Sequence, residues 1–100
     1  MTTDPFFRMT VEDVFSIAKR GTVVTGKIEQ GTLNVGDEVT IQRGNGEKRA
    51  LVTGIEMFRK TLNQANAGDN VGILLKDISK QDVQRGDVLL SPGLDFTWKP

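Results

Sequence analysis

One hundred residues, 37% hydrophobic and 26% charged, fit one small soluble globular domain and not a disordered tail. Thirteen basic and thirteen acidic side chains cancel, which excludes broad electrostatic wrapping of a nucleic-acid duplex but leaves room for a local contact with a nucleic-acid end. Cysteine and histidine are both absent, so disulfides, thiol catalysis, cysteine metal sites and imidazole acid–base chemistry are excluded, and no cofactor is implied. No apolar run approaches the roughly 18 residues of a membrane-crossing helix. Met1–Asp4 lacks the basic start and apolar core of a secretory signal, so the cytoplasm is the expected location, with no membrane partner.

In chain order, residues 1–8 form a tail carrying Pro5, Phe6 and Phe7. Met9 to Ile17 reads as a first strand, with Val11, Asp13, Phe15 and Ile17 on one face. Gly21 to Glu29 is the clearest strand. Thr22, Val24, Gly26 and Ile28 share the face expected to be core, and Val23, Thr25, Lys27 and Glu29 share the other. Gly26 inside the core face marks a bend or a close backbone approach. Val39 and Ile41 alternate in the next strand, and Gly44-Asn45-Gly46 reads as a tight hairpin turn. Strands follow at Leu51–Phe58, Val71–Leu75 and Val88–Leu90, about six in all.

Gly36-Asp37, Gly68-Asp69 and Gly86-Asp87 each precede a strand. The glycine supplies a positive-φ position and the aspartate bonds nearby amides, so each pair reads as a turn that opens the strand after it. Helix is limited to one short turn at Ser79–Val83, with Ser79 as its cap and Asp82 three residues on. The domain is set at residues 9–93. Residues 94–100 form a second tail with Phe96 and Trp98, and apolar rings at both ends are expected to lie on a surface.

The chain has no Gly-x-x-x-x-Gly-Lys-Ser/Thr loop, so nothing in it cradles a nucleoside triphosphate, and GTP is not bound by this chain alone. It has no dinucleotide fingerprint either. Glu12 and Asp13 are adjacent, and neighbours on a strand point to opposite faces, so they make no facing acid–base pair. The expectation is a protein that is not an enzyme.

Three stretches carry a family resemblance. They are Val11-Glu12-Asp13-Val14-Phe15-Ser16-Ile17 running into Arg20-Gly21-Thr22-Val23-Val24-Thr25-Gly26-Lys27-Ile28-Glu29, then Thr53-Gly54-Ile55-Glu56-Met57-Phe58-Arg59-Lys60, then Ala67-Gly68-Asp69-Asn70-Val71-Gly72-Ile73-Leu74-Leu75 followed by Arg85-Gly86-Asp87-Val88-Leu89. In this order the chain resembles domain 2 of elongation factor Tu along residues 9–93. The resemblance implies an all-β fold, a six-stranded antiparallel closed barrel of the translation-factor type. It also implies a non-catalytic module that contacts the aminoacyl end of transfer RNA. The matching positions are Glu12, Asp13, Phe15, Ile17, Val23, Thr25, Glu56, Arg59, Asn70 and Leu74. The implied partners are aminoacyl-transfer RNA, the ribosome or a translation factor. Ile17, Val23 and Leu74 can lie against a terminal adenine, Glu56 can accept from a ribose hydroxyl, and Arg59 can stack on a base or pair with phosphate.

Simpler readings stand beside these. Alternation alone buries Phe15 and Ile17 in the core with Leu74, Glu56 and Arg59 form an exposed ion pair, and Asn70 bonds only backbone. The chain also departs from the family. Lys19 stands where a glycine beside the RNA end is usual, and either crowds that end or adds a phosphate contact. Thr10 stands where proline is usual, and the loop at Gly44-Asn45-Gly46 is short. The GTPase domain and third barrel are missing. Two further readings therefore remain. One is a protein–protein interaction domain using Phe6, Phe7, Phe96 and Trp98. The other is an excised domain of a larger GTP-dependent factor, against which the divergent tail at Lys99-Pro100 counts.

Overall fold

The computed structural model describes residues 6–43 and 46–91, and every regular element within them is a strand. In chain order these are β1 (Arg8–Thr10), β2 (Asp13–Ile17), β3 (Gly21–Gln30), β4 (Thr32–Asn34), β5 (Glu38–Arg43), β6 (Gly46–Met57), β7 (Lys60–Leu62), β8 (Gln64–Asn66), β9 (Asn70–Lys76) and β10 (Val88–Leu90). Six of them close a ring of antiparallel neighbours, β1–β10–β5–β6–β9–β3 and back to β1. This is the six-stranded closed barrel that the strand count and the resemblance both implied. β2 extends along β3, β7 pairs with β6, and β4 with β8 makes a small separate ribbon.

The long strand β3 follows its alternation. Thr22, Val24, Gly26 and Ile28 are buried, Val23 and Thr25 are half-buried, and Lys27 and Glu29 are exposed. The inward side chains meet Met9, Val39, Ile41, Val52, Ile55, Ile73, Leu75 and Leu89 in one continuous core. The buried Thr22 hydroxyl donates to the Ile78 carbonyl, so the one polar side chain on that face of β3 is satisfied.

Gly26 is the close approach that the sequence pointed to. A Cβ there would stand 2.5 Å from the Thr10 carbonyl oxygen and 3.2 Å from two side-chain atoms of Met9. The glycine therefore lets the N-terminal strand lie directly on β3 and close the barrel.

The first strand differs from its expected form. Met9–Ile17 is not one strand but two, interrupted at Val11–Glu12. β1 pairs Met9 with Ile28 and β2 pairs Asp13 with Thr25, so the register slips between them. Val11 turns aside to bond Asp87 and Gly86, while the Glu12 amide donates to Thr25. One slipped residue exchanges the two faces of a strand. Val11 is buried, whereas Phe15 is 51% exposed and Ile17 37% exposed, so these two are not core.

The Gly-Asp turns repeat one geometry three times. Gly36, Gly68 and Gly86 have φ of 101, 96 and 93°. Each following aspartate donates its amide to the carbonyl three residues back at 3.0 Å, from Asp37 to Asn34, Asp69 to Asn66 and Asp87 to Gln84. Its carboxylate accepts the amide of that same residue at 2.9 Å. Glycine is needed for φ and not for space, because a Cβ would meet nothing within 4 Å at any of the three. Ser79 and Asp82 close a similar turn without glycine, and no helix forms there.

Other expectations divide. Arg43 pairs with Gly46, which leaves 44 and 45 as the two-residue connection, outside the described residues. Phe7, read with the N-terminal tail, is 1% exposed and belongs to the core; its amide donates to the Ser91 hydroxyl and its carbonyl accepts from the Ser91 amide. Phe6 is partly exposed, and Phe96 and Trp98 lie outside the described residues. Thr10 uses the hydroxyl that a proline would lack. It donates to Glu29 at 2.6 Å, and this bond, with Arg8 beside it, lowers the Glu29 carboxyl below its ordinary value. Among the described residues, no helix is long and apolar enough to cross a membrane.

Two predictions follow from these contacts. Gly26→Ala should lower unfolding stability by about 2 to 3 kcal/mol in a denaturant titration, because backbone must move to admit the methyl; an unchanged midpoint would contradict the close approach. Asp82 is held at a pKa of about 2 by the Ser79 amide first and then by Lys48. A depressed folded-state value contributes stability in full above the ordinary 3.8, and that contribution is lost as pH falls toward about 2. The thermal midpoint of Asp82→Asn should therefore lie below that of the unsubstituted chain at pH 6 and converge with it near pH 2. A gap that is constant across this range would show the turn is not the source.

Candidate functional site

The slip at Glu12 decides what the barrel shows to solvent. Asp13, Phe15 and Ile17 of β2 point outward, as do Val23 and Thr25 of β3, Asn70, Gly72 and Leu74 of β9, and Glu56 of β6. Register aligns them in two rows across the sheet. One row runs Phe15–Val23–Leu74–Gly54, and the next runs Asp13–Thr25–Gly72–Glu56–Thr61.

Each row dips where a glycine replaces a side chain. A Cβ on Gly72 would reach Val23 Cγ1 at 3.3 Å, and one on Gly54 would reach Leu74 Cβ at 3.5 Å. The result is a groove with two hollows sharing Glu56 and Gly72. The first, of about 150 Å³, is lined by Ile17, Arg20, Val23, Thr53, Gly54, Ile55, Glu56, Thr61, Gly72 and Leu74. The second, of about 230 Å³, is lined by Glu12, Thr25, Gly26, Glu56, Met57, Phe58, Asn70, Val71 and Gly72. Apolar walls, a carboxylate at the junction and an amide at one end suit a flat ring bearing polar substituents.

Seven of the ten residues named from the sequence line these hollows. Ile17, Val23 and Leu74 wall the first, Glu12, Thr25 and Asn70 the second, and Glu56 both. Asp13, Phe15 and Arg59 line neither. Asp13 and Phe15 sit on the same face one strand over, and Asp13 pairs with Arg85 at 3.2 Å while the Arg85 Nε donates to the Glu12 carbonyl at 3.0 Å. Arg59 stands at the tip of the β6–β7 hairpin.

The simpler readings of these side chains are not what the fold displays. Phe15, Ile17 and Leu74 are on the outer face. Among the described residues, Glu56 and Arg59 form no ion pair with each other, and the Asn70 side chain bonds no backbone group. Lys19 lines neither part of the groove. It borders a third, open hollow of about 590 Å³ with Arg20, Thr53, Lys76 and Asp77, which adjoins the first hollow through Arg20 and Thr53.

Sequence reasoning missed the groove's floor and one rim. Gly72 and Gly54 enter the sequence reading only within the family motifs, although a glycine on the outward side of a strand is itself a signal of close approach. The missed rim is Phe58. Met57 pairs with Lys60, leaving Phe58 and Arg59 as a two-residue turn with φ of 51 and 68°. Both central residues are left-handed, a type I′ turn that ordinarily takes Asn-Gly. Phe58 is 82% exposed there, so packing does not offset the strain.

A closed six-stranded antiparallel barrel is the architecture of a translation-factor β-barrel domain. The family model for elongation factor Tu domain 2 matches residues 21–90, and the chain belongs to that family. The matched range runs from the first residue of β3 to the last of β10.

The strained turn yields a direct test. Replacing Phe58-Arg59 by Asn-Gly should raise unfolding stability by about 1 to 2 kcal/mol, because both residues leave a disfavoured conformation. A loss of stability in denaturant unfolding would mean that the Phe58 or Arg59 side chain supports the fold.

Proposed function

We propose that this barrel is a non-catalytic binding module for the aminoacylated 3′ end of a transfer RNA, working in the cytoplasm as part of protein synthesis. The observation that carries the reading is the placement of Ile17, Val23, Leu74 and Glu56 around one hollow. There a terminal base lies on apolar side chains while a carboxylate accepts from a ribose hydroxyl. Asn70 and Thr25 in the adjoining hollow face the aminoacyl group, and Phe58 at the hairpin tip borders that hollow. A chain without net charge makes few phosphate contacts, so affinity is modest and the salt dependence shallow. Lack of histidine and cysteine supports binding over catalysis.

The test is a titration with aminoacylated transfer RNA followed through backbone amide shifts. Val23, Glu56, Asn70 and Leu74 should move, and Glu56→Ala should weaken binding about 10- to 100-fold, the worth of one hydrogen bond to a charged group. Gly72→Leu should retain the fold and lose the shifts in both hollows. Shifts confined to other faces, or equal affinity in Glu56→Ala, would defeat the reading.

A further inference from the structure

β2 differs from the six ring strands. Among the described residues it pairs with β3 alone, so its second edge carries no strand. Four of its five residues are exposed, including Phe15 and Ile17. An open edge beside exposed apolar side chains is a template for strand addition.

The charges at its two ends are opposite and unmatched. Glu12 precedes the strand, and Lys19 with Arg20 follows it in the turn to β3. Among the described residues none of the three has an ion-pair partner. Within one chain Glu12 and Lys19 stand about 20 Å apart along an extended strand, too far to pair with each other.

We propose that the β2 edge is an isologous interface with a second copy of this chain. Antiparallel pairing about a two-fold axis through Phe15 sets Asp13 opposite Ile17, Val14 opposite Ser16, and Phe15 opposite itself. Glu12 of each copy then lies beside the Lys19–Arg20 turn of the other, so the free acid and the free bases neutralise one another twice. The apolar row Leu74–Val23–Phe15 runs on across the axis into its own copy. An aromatic pair at the centre and opposite charges at the ends are the side-chain pairs that favour antiparallel strands. The partner is a second copy because this strand is its own charge complement only when reversed. The contact is one short strand on each side, so association is weak and reversible. It uses the edge of β2, whereas the proposed RNA site uses the sheet face, although Glu12, Ile17 and Arg20 border both.

The experiment is sedimentation equilibrium of the 100-residue chain from roughly 5 µM to 1 mM, a range suited to small interfaces. A monomer–dimer equilibrium is expected, and Phe15→Lys should abolish it. Glu12→Lys and Lys19→Glu should each weaken dimerisation about 3- to 10-fold, because the axis repeats each contact. The double variant should associate more tightly than either single one, short of the unsubstituted chain because Arg20 keeps its charge. Far-ultraviolet circular dichroism checks that each variant is folded, and the charge exchange keeps its meaning even if Phe15→Lys does not fold. A monomer at every concentration, or a double variant no tighter than either single one, would overturn the proposal.

Discussion

The contact on which the barrel depends is the Thr10 carbonyl resting on the bare Cα of Gly26. β3 must serve two partners in succession, β2 along its first half and β1 along its second. The chain passes from one to the other at Val11–Glu12, directly over Gly26. A side chain there would hold β1 off the sheet and open the ring between β1 and β3. The same crossing forces the slip that reverses the faces of β2. Closure of the core and exposure of Phe15 and Ile17 are thus two consequences of one local constraint.

That constraint explains why the outer face holds a groove where a convex barrel would otherwise show a bulge. β2 contributes Ile17 to one wall because its odd-numbered residues face out. Gly72 and Gly54 supply the floor because β9 and β6 present no side chains there. Among the described residues, Glu56 stands at the junction with no partner competing for its carboxylate. Beyond it, the Phe58–Arg59 turn keeps two side chains in a conformation that glycine would adopt at lower cost. Membership of the elongation factor Tu domain 2 family gives this face a context in translation.

Much of the fold was legible because its signals are local. β3 displays its period without interruption, and Gly26 stands out as the one small residue on an apolar face. The three Gly-Asp pairs carry their turn geometry in two residues. The first strand was misread because alternation assumes an unbroken register, and nothing in Val11-Glu12-Asp13 announces the slip. The short strands β4, β7 and β8 escaped because three residues show no period and no Gly-Asp turn opens them, as Gly86-Asp87 opens the equally short β10. Phe7 was assigned to a tail because its partner Ser91 is 84 positions away. The candidate site was legible only through family resemblance, since local pattern assigned Phe15 and Ile17 to the interior. The groove floor was open to inference from Gly72, an outward glycine within a strand otherwise rich in apolar residues.

In the binding mode proposed above, this groove holds a terminal nucleoside against Val23 and Leu74. Intermolecular nuclear Overhauser effects on a complex with an aminoacylated transfer RNA, using methyl-labelled protein, report on that placement. Contacts are expected from the terminal base protons to the methyl groups of Ile17, Val23 and Leu74. A bound complex in which those protons instead contact Val35 and Leu51, elsewhere on the barrel, would contradict it.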